Sequence, residues 1–157
     1  MLRLLKHSSF IVIFSMVVAS CVPPVPSEKS YRARYPKLQY LKRYAKSFIG
    51  TPYKYGGTDR QGMDCSGLVV RVYGDVLHKK LPHNTNRLYY LGESILPSQL
   101  YAGDLVFFGE GGYRINHVGI FLEGNQFIHA SVSRGVVVSK LNSHYYKKRF
   151  IGARRIL

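Results

Sequence analysis

The sequence predicts an α+β domain in which helices pack on an antiparallel sheet. Three observations carry that expectation. The first half holds apolar residues at helical spacing, the second half holds five short β-rich runs, and turn residues separate those runs. Leu38, Leu41, Ala45 and Phe48 recur at three and four, with Tyr44 and Ile49 widening the stripe. Pro36 stands near the start of that helix, and Gly50 and Pro52 stop it. After the glycine-rich loop "TPYKYGGTDRQG", Asp64 suits an N-cap and Cys65, Leu68, Val69, Val72 and Val76 form a second stripe. A short helix over Thr85–Leu91 opens at Asn84 or Thr85 and closes at Gly92. The strand runs are Asp104–Gly109, His117–Glu123, Gln126–Ser131, Gly135–Leu141 and Phe150–Ile156.

Ahead of the domain the composition changes twice. Residues 1–20 have the form of an export signal: Arg3 and Lys6, the apolar run Phe10–Ala19, and small residues at Val18-Ala19-Ser20. The apolar run is short for a permanent membrane span. "VASC" resembles a bacterial lipobox, which makes Cys21 a lipid anchor and implies, in a Gram-negative cell, sorting to the outer membrane. Residues 21–36, proline-rich and without period, read as a tether reaching up to roughly 55 Å. Residues 37–157 form one domain of about 120 residues, enough for a single core.

Loss of the signal removes two positive charges and lowers the formal charge from +15 to +13. Such a basic chain commonly binds nucleic acid, but export argues against that partner. Anionic lipid headgroups or acidic wall polymers suit an exported basic surface better. The densest basic runs, Lys147-Lys148-Arg149 and Arg154-Arg155, read as a solvated face.

The cysteine count sharpens the functional question. Exported cysteines ordinarily pair. If Cys21 carries lipid, Cys65 has no partner within the chain. Its place on an apolar stripe fits plain core packing. Its place at a helix N-terminus fits a nucleophile, because the exposed N–H groups and the dipole lower a thiol pKa there. Asp64 opposes that shift unless capping occupies it. A nucleophile also needs a basic partner.

Among the histidines, His78 and His144 read as surface residues, and His83 lies in a loop able to line a site. His117 and His129 fall on successive strands, and they act together only if they share a face. A two-residue turn at Gly124-Asn125 sends them to opposite faces. A three-residue loop, Glu123-Gly124-Asn125, sets Gly119 opposite His129 and puts both on one face. The spacings from Cys65 to His117 and from His117 to His129 match no compact zinc pattern, leaving dispersed zinc ligation as a minor alternative.

Taken together, "GTPYKYGG", "GMDCSGLVV", "GDLVFF" and "NHVGIFLEGNQFIHAS" resemble the NlpC/P60 family of cell-wall cysteine peptidases, over nearly all of 37–157. The resemblance implies a circularly permuted papain-like fold. It implies Cys65 as nucleophile, His117 as general base, His129 as orienting residue and Tyr53 with its hydroxyl at the active site. Asp64 and Ser66 read as helix cap and supporting residue. The implied substrates are peptidoglycan stem peptides, the reaction passes through a thioester, no metal or cofactor takes part, and the chain acts as a monomer. An amidase or acyltransferase on the same fold, and a non-catalytic wall-binding lipoprotein, are the alternatives. The sequence departs from the family pattern at Ala102, where proline is common, at Tyr55, where tryptophan is, and at His83, where arginine commonly follows the proline.

Overall fold

A computed structural model describes residues 27–111 and 114–157. The signal segment, Cys21 and residues up to 26 lie outside the described residues. The stretch expected to be a tether is not extended throughout: Glu28–Arg34 is a helix, α1, capped by Ser27, whose hydroxyl accepts from the Ser30 N–H at 3.2 Å. Among the described side chains of α1 the buried one is Tyr31, which stacks on Tyr101 with ring centroids 4.3 Å apart and lies under the Arg155 guanidinium at 4.7 Å. The described residues of α1 show no periodic buried stripe, so apolar periodicity does not signal this helix.

Helix α2, Lys37–Lys46, buries Leu38, Leu41 and Ala45 and ends in turns that carry buried Phe48. A small hairpin follows, β1 (Thr58–Asp59) and β2 (Gly62–Met63). Helix α3, Cys65–Leu77, buries the whole expected stripe: Leu68, Val69 and Val72 have no exposed surface, and Val76 very little. Each such fully buried aliphatic side chain is worth about 1.5–3 kcal/mol. Helix α4 is Thr85–Tyr89, capped by Asn84.

The rest of the chain builds a six-stranded antiparallel sheet. Its strands are β3 (Glu93–Ile95), β4 (Leu105–Glu110), β5 (Arg114–Phe121), β6 (Gln126–Ser131), β7 (Gly135–Lys140) and β8 (Phe150–Arg155), in spatial order β3-β8-β4-β5-β6-β7. Between β7 and β8 lies α5, His144–Arg149. Strand alternation divides the core in two. Leu105, Phe107, Val118, Ile120, Ile128 and Ala130 face α2 and α3, while Val106, Phe108, Phe121 and Phe127 form a second cluster with Ala153, Tyr146 and Phe150.

The β5–β6 connection is the three-residue one. Phe121 pairs with Phe127 and Ile120 with Ile128, and the Leu122 N–H donates to the Gln126 carbonyl at 2.8 Å. Gly124 and Asn125 carry φ of 55° and 69°, left-handed values that suit these residue types. Extending the register sets Gly119 against His129. A Cβ on Gly119 would lie 2.6 Å from the Phe127 ring and 3.3 Å from the His129 Cβ, so this position has no room for a side chain. His117 and His129 therefore share one face of the sheet.

Candidate active site

Asp64 organises one end of the site. As N-cap of α3 it accepts at Oδ1 from the Gly67 N–H at 2.7 Å and from the Ser66 hydroxyl at 2.9 Å. His83 Nε2 lies 2.9 Å from the same oxygen, and the Gly56 N–H donates to Oδ2 at 2.8 Å. Burial pushes this carboxyl upward, but the hydrogen bonds from Gly67, His83, Gly56 and Ser66 outweigh it and hold the pKa below the ordinary value. A Cβ on Gly67 would stand 2.0 Å from the Gly57 carbonyl oxygen, so glycine lets the loop close over the helix start.

Cys65, the first residue of α3, is 8% exposed. Its Sγ lies 3.6 Å from Thr85 Oγ1, and the backbone N–H groups of Val118 and Ser66 also favour its anion. Burial nevertheless pushes the thiol above its ordinary value, and the charge of Asp64 adds to the rise. The helix dipole, expected to lower the thiol, acts with the opposite sign. That local effect loses to tertiary burial, which no inspection of nine residues reveals. Tyr53 lines the same cavity, and its phenol is raised by burial and then by Cys65, Asp64 and Tyr55.

The other end is built on the far face of the sheet. His117 Nε2 and His129 Nδ1 are 2.8 Å apart, with the rings at 87°. His129 is 1% exposed and stacks on Phe127 at 4.9 Å. Its Nε2 meets two hydroxyls, Ser139 Oγ at 3.0 Å and Tyr146 Oη at 3.1 Å. Burial lowers His117 to about 4. Burial, His117 and the charge of Arg134 lower His129 to about 3. Both rings are neutral at pH 7.

Two cavities meet along β5. One, of about 410 Å³, is lined by Cys65 with Tyr53, Asp64, Ser66, His83 and Thr85. The other, of about 320 Å³, is lined by His117 and His129 with residues of α5. Asn116 lines both, and the Val118 N–H beside the thiol belongs to the residue following His117. The hydrogen-bond partner of the thiol is Thr85, and that of His117 is His129. Among the described residues, no group of three His, Cys, Asp or Glu side chains is arranged to hold a metal. Sequence reading named Cys65, Tyr53, Asp64, Ser66, His117 and His129, and left His83 open. It missed Thr85, Asn116, Ser139 and Tyr146, which reach the site only through the fold.

Comparison with known proteins bears on the family and the fold. Residues 50–155 match the NlpC/P60 family. The chain is 47% identical over 117 residues to the probable endopeptidase NlpC of Escherichia coli, covering 74% of this chain and 76% of that protein. It is 41% identical over 121 residues to the murein DD-endopeptidase MepS/murein LD-carboxypeptidase of the same species, covering 77% of this chain and 63% of that protein. The crystal structure of an NlpC/P60 family protein from Bacillus cereus superposes with a TM-score of 0.71 at 28% identity, covering 85% of this chain and 41% of that one.

Proposed function

Because the chain belongs to the NlpC/P60 family, we propose that it is a peptidoglycan endopeptidase that cuts stem-peptide amide bonds through Cys65, His117 and His129. The observation that supports these roles most is the 2.8 Å bond between the histidines. It engages Nε2 of His117 and so leaves Nδ1 as the nitrogen able to serve the thiol.

The chemistry follows from neutral partners. Burial disfavours a lone thiolate and a lone imidazolium alike, so the resting pair is thiol and imidazole. The proton moves from Sγ to His117 Nδ1 as sulfur attacks the scissile carbonyl, and the two charges then stabilise each other. His117 must present a bare Nδ1, hence a protonated Nε2 donating to His129 Nδ1. His129 in turn carries its proton on Nε2, where the oxygens of Ser139 and Tyr146 accept it. The backbone N–H of Cys65 and the hydroxyl of Tyr53 hold the tetrahedral oxyanion. The C–N bond breaks as His117 returns its proton to the leaving nitrogen, giving a free amine and a thioester on Cys65. Water, deprotonated by His117, attacks the thioester carbonyl; the C–S bond breaks, the acid leaves, and His117 returns the proton to the Cys65 sulfur. Substrate and water supply every atom of the products and the chain is regenerated, so the steps as written close without a cofactor.

Cys21 as lipid anchor, with the domain facing the periplasm from the outer membrane, completes the reading and rests on the lipobox resemblance. Cys21→Ser is expected to move the protein from the membrane to the soluble fraction; unchanged membrane association removes the anchor from the account. The activity is tested by mass spectrometry of muropeptides incubated with the mature protein. Cleaved stem peptides absent with Cys65→Ala support the peptidase. Intact muropeptides with retained binding to sacculi contradict it.

A further inference from the structure

The two cavities flank the reacting atoms differently, and the chemistry assigns a half of the substrate to each. The acyl half stays bonded to Cys65 after the first step, so it occupies the cavity lined by Cys65 and Tyr53. The leaving nitrogen takes its proton from His117, so the residue bearing that nitrogen enters the cavity lined by the histidines. Among the described residues, one cationic side chain lines the latter cavity, Arg149 of α5. Its neighbours in the basic run, Lys147 and Lys148, are exposed and do not line it. The half-buried Arg149 guanidinium lies 3.9 Å over the Tyr145 ring and gives one N–H to the Tyr145 carbonyl at 3.4 Å. Its remaining donors form the planar fork that fits a carboxylate. Glu110 lines the same cavity and suits an N–H group rather than a second anion.

We propose that this cavity seats the amine-side residue of the substrate and that Arg149 holds a free carboxylate on that residue. The proposal rests on the peptidase reading for its assignment of sides. It turns an arginine that the sequence places on a solvated face into a specificity-determining residue.

The kinetic test uses two cross-linked peptides that differ only on the amine-side residue, one with a free carboxylate and one with a primary amide. The wild type is expected to favour the acid about tenfold or more in kcat/KM, mainly through KM. Arg149→Gln is expected to erase that preference, Arg149→Lys to keep part of it, and Glu110→Gln to increase it two- to threefold. A preference unchanged in Arg149→Gln, or an equal loss on both peptides, overturns the proposal. A binding test stands apart from catalysis. The amine-side product peptide is titrated into Cys65→Ala protein while backbone amides are followed by NMR. Shifts at Ser131–Ser133 that vanish in the Cys65→Ala, Arg149→Gln double variant support the proposal even if no peptide is ever cleaved. Shifts at Asn84–Asn86 instead, or no shift at all, overturn it.

Discussion

The nucleophile end and the histidine end of the site are built by opposite means. Asp64, Cys65 and Ser66 are consecutive, and one helix start arranges them with short-range hydrogen bonds. His117, His129, Ser139 and Tyr146 come from β5, β6, β7 and α5, and only the register of three strands brings them together. The bonds that cap α3 at the first end are local, although its thiol also meets Thr85 of α4 and the Val118 N–H of β5. The second depends on a three-residue loop and on a glycine opposite His129. A chain can therefore carry the nucleophile signature intact and still separate its two histidines through a one-residue change in the Glu123-Gly124-Asn125 loop.

The largest expected effects separate the two ends directly. His117→Ala removes the proton acceptor and is expected to cost about 10²- to 10⁴-fold in kcat/KM while Cys65 remains open to alkylation. An equal loss of alkylation would mean that the substitution disturbs both ends and that they are not separable. Tyr53→Phe removes one oxyanion donor and is expected to lower kcat about 10²- to 10³-fold with little change in KM. A change confined to KM would place Tyr53 in binding rather than in the reaction.

Smaller effects probe how each end is held. Ser139→Ala and Tyr146→Phe each leave one hydroxyl on His129 Nε2, so each is expected to cost a few-fold in kcat. The double variant leaves none of the two and is expected to cost more than the product of the singles. Strict additivity would argue that neither hydroxyl fixes the tautomer. Asp64→Ala strips the cap from α3 and leaves Gly67, Gly56 and His83 without that acceptor. A loss of about 1–3 kcal/mol, read as a fall of several degrees in Tm, is expected. A wild-type Tm would show that the cap is dispensable.

Acid acts on the histidine end. His117 and His129 are held near 4 and 3 against an ordinary 6.5, by burial above all. Between pH 6.5 and 4 the unfolded chain binds protons that the folded chain refuses, so stability falls as pH drops through that window. For the same reason the acid limb of kcat/KM is expected near pH 4; a limb at 6.5 would show an exposed base.

The sequence made the local end legible and set a condition for the other. The stripes of α2 and α3 were readable because their buried faces repeat at three and four. The loop between His117 and His129 was narrowed to two lengths with opposite consequences, and the choice between them needed the strand register. Helix α5 left no signal, since a six-residue segment that touches the second core cluster through Tyr146 has no period to detect. Tyr146, Ser139 and Thr85 were invisible for a related reason: each lies 10 to 20 residues from its partner. The thiol shift is not legible locally because Val118, whose strand packs against α3, lies 53 residues from Cys65, and burial outweighs the helix start.

The measurement that bears most directly on the joint action of the two ends is intact-mass spectrometry of the protein, acid-quenched during turnover of a muropeptide. The expected result is a mass increase equal to the acyl half of the substrate, mapped to Cys65, absent in Cys65→Ala and strongly reduced in His117→Ala. Cleavage by Cys65→Ala at the wild-type rate, with no adduct on any residue, would contradict it.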